Sequence, residues 1–214
     1  MLLLDQCRYR YPDGPEVRLP PWEAAAGERW AVLGPSGCGK STLLQLLGGV
    51  RRPTGGRVAV AGQELSELGE RQLDAFRART IGMVFQTLQL IPALRVADNL
   101  RLARSLAGRA PDEARVHALL EALDIASIAR AWPERISQGQ AQRAALARAL
   151  VTEPTVILAD EPTAALDDAN CSALLDVVLE QAARYEATLV VATHDQRVRA
   201  RMDRVLEWPV EAAA

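Results

Sequence analysis

The chain has 214 residues, 49% of them hydrophobic and 24% charged, with a formal net charge of −2; that suits one large domain, or a domain with a lobe, around a substantial core. Arginines interleaved with acids read as a solvated surface, so nothing in the charge balance makes nucleic acid the main partner. No stretch approaches about 18 uninterrupted apolar residues, so no membrane span is expected, and Cys7, Cys38 and Cys171, odd in number and without metal-ligand spacing, fit a reducing cytoplasm rather than a disulfide framework.

The start, Met1-Leu2-Leu3-Leu4-Asp5, has no basic region and too short an apolar run for a signal peptide; Leu2 to Tyr9 reads as a first strand. Pro12-Asp13-Gly14-Pro15 is a turn, and Pro20-Pro21 is a second break in the chain. Arg29 to Leu33 reads as a buried strand and Leu43 to Leu47 as an apolar helix. After the turn Pro53-Thr54-Gly55-Gly56 come a short strand, Arg57 to Val60, closed by Gly62, and a polar helix, Leu65 to Arg79. Ile81 to Phe85 is a further buried strand. From Val96 to Trp132 the Leu, Ala and Ile spacing is helical without strand signal, and Pro111-Asp112-Glu113 starts one helix with Pro at an early position. A long Ala/Leu/Arg helix comes after Ser137 and runs to Val151. Thr155 to Ala159 (strand), Asp168 to Arg184 (helix), Leu189 to Ala192 (strand) and Asp195 to Arg201 (helix) restore alternation, and Val205-Leu206 closes the sheet. The class is therefore α/β: a mostly parallel sheet covered on both faces, interrupted by a helical insert.

Lys40 is the only lysine in a chain whose Lys+Arg total is 25. An arginine bias explains the missing lysines but not the one retained. Lysine offers a compact ammonium on a thin stem where arginine offers a wide fork, and a loop wrapped around a phosphate has room only for the first. Gly34, four residues, Gly39, Lys40 and Ser41 match G-x-x-x-x-G-K-[ST] between a strand and a helix. In that arrangement Gly34, Pro35, Ser36, Gly37, Cys38, Gly39, Lys40, Ser41 and Thr42 cradle a nucleotide's phosphates. Lys40 contacts the β- and γ-phosphates and Ser41 holds Mg²⁺.

A second cluster ends the strand Thr155 to Ala159, where Asp160 and Glu161 project from a carboxyl end and so belong beside the phosphate loop. Asp160 fits a Mg²⁺ role, and Glu161 is then placed to polarise an attacking water. A bare Asp-Glu pair capping a helix after Pro162 is the plainer alternative. Ser137-Gln138-Gly139-Gln140 opens a helix, with Ser137 as a good N-cap and Gly139 keeping the first turn open; a helix N-terminus favours negative charge.

Taken in order, these motifs resemble the nucleotide-binding subunit of an ABC transporter over almost the full length. Gly34 to Ser41 resembles its Walker A loop, Gln86 the Q-loop glutamine, Ile136 to Gln140 the signature motif, and Val156 to Glu161 Walker B with the catalytic glutamate. Ala165-Leu166-Asp167 resembles the D-loop and His194 the switch histidine; Tyr11 sits where the family places an aromatic against adenine, with Tyr9 as the alternative. The resemblance implies a P-loop NTPase with an antiparallel β edge subdomain and a helical signature subdomain: residues 1–86 and 153–214 as core, 87–152 as helical lobe. It implies ATP and Mg²⁺ as ligands, with Ser41, Gln86 and Asp160 at the metal and Glu161, His194 and Lys40 catalytic. It also implies a head-to-tail dimer, with a second copy or a paralogous cassette, in which Ser137, Gly139, Gln140 and Asp167 of one copy meet ATP held by the other. The implied partner is a separate membrane permease and the implied location the cytoplasmic face of a bacterial inner membrane.

Two departures stand out: Gln138 where the family usually has Gly, and Ala164 before the D-loop where a polar residue or Gly is frequent. Phe76 to Gln86 with Leu90-Ile91-Pro92 resembles the lipoprotein-release and macrolide-export branch, and the apolar stretch Thr87 to Leu94 lies where that family docks its permease. A non-transport ATPase of iron–sulfur assembly or cell-division type is the alternative. An unrelated P-loop kinase or GTPase would leave the signature and His194 without a purpose.

Overall fold

The computed structural model describes residues 1–12, 14–164 and 166–208. Asp13 of the expected turn and Ala165 of the expected D-loop lie outside them. The central sheet is five-stranded: β4 (Arg29–Leu33), β7 (Ile81–Val84), β8 (Val156–Asp160), β9 (Thr188–Ala192) and β10 (Arg204–Glu207), in the order β10-β4-β9-β8-β7. Each pairing is parallel. β8 and β9 are buried at every position, which is why they read as unbroken apolar runs rather than as alternation.

The period of two still operates inside the buried strands. Val156 and Leu158 pack with α1 (Lys40–Leu47), through Leu43, Leu44, Leu46 and Leu47. Ile157 and Ala159 face the other way, into a cluster with α3 (Val96–Leu106), α4 (Glu113–Ala122), α5 (Gln138–Leu150) and α6 (Asp168–Arg184). The helical insert is thus continuous with the core on one sheet face, while the phosphate-loop helix owns the other.

A second, antiparallel sheet caps the α1 side. β1 (Leu2–Arg10) pairs with β2 (Glu16–Arg18), β3 (Trp22–Ala24) and β5 (Gly55–Val60), and β5 continues to β6 (Gln63–Glu64). The short strands β2, β3 and β6 carry too few residues for a sequence period, and Pro20-Pro21 separates two of them instead of ending the sheet. The register of β1 on β5 shifts between Asp5 and Arg8. Gln6 there has φ +47, and a Cβ on Gly56 (φ +80) would lie 2.3 Å from the Gln6 carbonyl oxygen. The register shift is a bulge in β1 ahead of Tyr9.

Several expected boundaries move. The polar helix breaks at Leu68-Gly69 into a 3-10 turn, Leu65–Glu67, and α2 (Glu70–Thr80). Gly69 donates its N–H to Gln72 Oε1 at 3.0 Å, satisfying a donor the new helix start would leave open. Pro111 precedes the helix it was expected to begin; Asp112 is the cap, accepting from Arg115 N at 2.8 Å. Phe85 falls outside β7, and the last helix shortens to α7 (Gln196–Arg199), capped by Asp195.

Candidate nucleotide site

The site sits at the carboxyl ends of the parallel strands, where β4 leads into α1 and where β9, between β4 and β8, delivers Thr193 and His194. Gly37 and Gly39 have φ of +80 and +118, a region side chains rarely enter. A Cβ at Gly39 would also lie 2.7 Å from Val17 Cγ1, and one at Gly34 2.7 Å from Trp208 Cβ. Strand β2 and Trp208 therefore press on the loop from outside, which leaves glycine as the residue that fits. α1 has no side-chain cap at its N-terminus, so its first amides remain available to an anion. Lys40 Nζ donates to the carbonyls of Gly34 at 2.7 Å and Pro35 at 3.0 Å. The ammonium is thereby folded over the loop with one donor left for a phosphate.

A cavity of about 390 Å³ joins this loop to Tyr11, Gln86, Asp160 and Glu161. Asp160 is buried, and burial pushes its carboxyl above the ordinary carboxylate range; the Ser41 hydroxyl and, more weakly, Lys40 pull it back. A buried carboxylate and a serine hydroxyl, with a glutamine amide on the same cavity, are an all-oxygen donor set suited to Mg²⁺. Among the described residues no cluster of three or more His, Cys, Asp or Glu could hold a metal by itself.

Glu161 has φ +48, costly for a residue with a Cβ. Its N–H bonds to the Ala192 carbonyl at 2.9 Å, and its Oε2 accepts from Thr193 Oγ1 at 3.0 Å. Its Oε1 lies 2.8 Å from His194 Nδ1. The left-handed backbone turns the carboxylate across β9 to meet the histidine, whose own side chain is 75% exposed.

The other expected residues do not reach this cavity in the single chain. Ser137 and Gln140 form a reciprocal cap at the start of α5, with Ser137 Oγ accepting from Gln140 N at 3.2 Å and Gln140 Oε1 from Ser137 N at 2.9 Å. Gly139 lies near Leu166; a Cβ there would meet Leu166 Cδ2 at 3.6 Å, an ordinary contact. Asp167 caps α6, and the N–H and amide of Asn170 hold its carboxyl below the usual range.

Sequence reasoning passed over a polar network that ties these pieces together. Arg197 Nη2 bonds Asp195 Oδ2 at 2.7 Å, Arg197 Nη1 bonds Asp168 Oδ1 at 2.6 Å, and both reach towards the Leu166 carbonyl. Asp195 also accepts from Thr163 Oγ1 at 2.8 Å, and Gln142 Nε2 donates to the Pro162 carbonyl at 2.9 Å. The available signal was the Asp directly after His194 with an Arg two positions on; neither belongs to a spacing pattern.

A strand, a glycine loop and an uncapped helix around one lysine, facing a buried Asp and a Glu from the next-but-one strand, define a P-loop nucleoside triphosphatase. The family described as ABC transporter matches residues 21–164. The chain is 41% identical over 182 residues to the lipoprotein-releasing system ATP-binding protein LolD of Legionella pneumophila, covering 84% of this chain and 80% of that protein. It is 44% identical over 183 residues to the macrolide export ATP-binding/permease protein MacB of Hyphomonas neptunium, covering 85% of this chain and 28% of the relative. Among solved structures, the dimeric post-hydrolysis state of the ATP-binding cassette MJ0796 bound to ADP and Pi superposes with a TM-score of 0.91 at 31% identity, covering 97% and 94% of the two chains. The chain belongs to the ABC transporter family. It is an ATP-binding, ATP-hydrolysing subunit of that family, similar to its lipoprotein-release and macrolide-export branch.

Proposed function

We propose that two copies of the chain, or one copy and a paralogous cassette, close head to tail around two Mg²⁺–ATP and drive a separate membrane permease. Cargo of the lipoprotein-release or macrolide-export kind is the reading that the relatives' names support. In it Lys40 and the phosphate loop Gly34 to Thr42, through the N–H groups of its residues other than Pro35, bind the phosphates, and Ser41, Asp160 and Gln86 hold Mg²⁺. The ion neutralises phosphate charge and orients the terminal phosphoryl group. Glu161 accepts a proton from the attacking water, and His194, already paired with it, contacts the γ-phosphate side. Residues 87–152 form the helical lobe, and residues 1–86 and 153–214 the core.

One observation carries the dimer. The capped N-terminus of α5, with Ser137, Gly139 and Gln140, points no group into its own chain's nucleotide cavity. A helix dipole and a serine hydroxyl so placed suit the γ-phosphate bound by another copy. Two inactive variants test this: Lys40→Ala loses its own phosphate loop, and Ser137→Arg blocks the partner's. Mixed together they rebuild one complete site per heterodimer, so activity that neither shows alone should return. A mixture as dead as its parts counts against a shared site.

The permease reading rests on a groove of about 660 Å³ beside β7, lined by Met83, Phe85, Ala103 and Leu106 among others. Leu106 is 68% exposed there, an apolar group whose natural cover is a partner's helix. No helix among the described residues is long and apolar enough to cross a membrane, and we place the subunit at the cytoplasmic face of a bacterial inner membrane. Co-purification from membranes of an integral protein that stimulates the ATPase supports this; a soluble partner alone would point to an assembly or division ATPase.

A further inference from the structure

Tyr11 lines the nucleotide cavity, but the residue that fixes its ring does not. Arg51 lies just beyond α1, where its N–H bonds the Gln45 carbonyl. Its Nε donates to Gln45 Oε1 at 2.5 Å and its Nη1 to Tyr9 Oη at 2.6 Å. So anchored, the guanidinium carbon stands 4.8 Å from the Tyr11 ring centroid and 5.1 Å from that of Tyr9. The two rings meet edge to face, with centroids 4.8 Å apart and planes at 87°. The far end of Tyr11 is held as well: its hydroxyl lies 2.8 Å from Thr42 Oγ1, one turn before Gln45 on α1.

We propose that Arg51 is the positioning residue of the nucleobase subsite, fixing Tyr11 as a stacking platform for the purine base of the nucleoside triphosphate. This rests on the nucleotide reading above and deepens it. Stacking on a free surface tyrosine would cost its rotamer freedom. Here a cation on its face, a ring edge at its side and a hydroxyl bond at its tip remove that freedom before the ligand arrives. The cation also draws electron density from the ring, which favours an electron-rich base on the side that meets the cavity. The fork shape matters, because one planar group reaches Gln45, Tyr9 and the Tyr11 face together, and a lysine ammonium cannot. Arg51 therefore acts on the base and not on the phosphates.

The test measures, on the full chain without divalent metal so that nothing turns over, the affinities for ATP and for inorganic tripolyphosphate, which has no base. Arg51→Met, keeping the stem and losing the cation, should weaken ATP binding about five- to tenfold and leave tripolyphosphate within about twofold. Arg51→Lys should fall between, and Arg51→Met should add nothing further to Tyr11→Ala. Undiminished ATP affinity in Arg51→Met overturns the proposal. Equal loss of both ligands overturns it too, because it assigns Arg51 to the phosphate loop, as does additivity with Tyr11→Ala. If the wild-type chain binds neither ligand, the nucleotide reading itself fails; if it binds ATP more tightly than tripolyphosphate while Arg51→Met is silent, only this inference does.

Discussion

Glu161 stands just past the carboxyl end of β8 with its backbone in the left-handed region. Its place after an apolar strand made it a candidate base; the φ of +48 and the contacts to Thr193 and His194 show how the backbone is bent to aim it. Glu161→Gln keeps the side chain's shape and removes the proposed base, so ATP should still bind while hydrolysis falls about a hundredfold or more; normal turnover in a steady-state phosphate assay would refute its role. At Gly39, alanine must adopt φ +118 against Val17, costing about 1–3 kcal/mol, and a binding titration should show nucleotide affinity lost. Asp160 gives a pH-dependent prediction. Burial raises its folded pKa above the ordinary 3.8, so below that range both states are protonated and the group costs nothing. As pH rises through the folded value, the ionised form destabilises the empty protein. Asp160→Asn should therefore raise the melting temperature at pH 7 without Mg²⁺ or nucleotide, with the gain shrinking as pH falls into the carboxylate range, while abolishing hydrolysis. A gain that persists unchanged at low pH would assign the effect to packing.

Among the elements, α5 is secured at both ends by different chemistry. Its start carries the Ser137–Gln140 cap, legible from the residue types alone. Its end is held by two buried arginines from the insert: Arg104 Nη1 donates to the Val151 carbonyl at 2.8 Å, and Arg115 Nη2 to Leu150 at 3.2 Å and to Gln181 at 2.7 Å. No spacing rule singles these out from the other arginines, since their meaning comes from two helices packing on a third. Arg104→Met should leave the Val151 carbonyl unpaired, cost about 2 kcal/mol and lower the melting temperature by about 5 °C; a calorimetric shift under a degree would deny the clamp. The Asp195–Arg197 pair acts on the D-loop side. Arg197 holds the Asp195 carboxyl down to about 2, so this contribution to stability is complete above the ordinary carboxylate value and is lost as pH falls towards 2. Asp195→Asn should loosen Leu166 and Asp168 and lower the turnover number more than the ATP affinity. A variant with wild-type kinetics would make the network structural only.

For the whole molecule, the proposed shared site would make hydrolysis a property of the dimer, so the rate per chain should fall on dilution below the dimer's dissociation constant and recover on concentration; a rate per chain independent of concentration would remove the need for a partner. The phosphate loop, the Asp160-Glu161 pair, the parallel strands and the capped helix after Ser137 were legible because each depends on neighbours a few residues away. Strand runs, glycines at forced turns and N-cap hydroxyls act through local backbone geometry, which sequence order preserves. Strands β2, β3 and β6, the split of the polar helix at Gly69, the Arg197 network and Arg51 behind Tyr11 were not. Strands of two or three residues have no period to read, and an arginine's partner is chosen by the fold, across 42 positions between Tyr9 and Arg51. The sequence by itself determined the ATP-binding family of this chain and the loop and strand end that form its candidate nucleotide cavity, because those are written in contiguous motifs. Only the tertiary structure decided which side chains orient those residues, and that the α5 N-terminus stands away from its own nucleotide cavity, because both arise from packing between segments far apart along the chain.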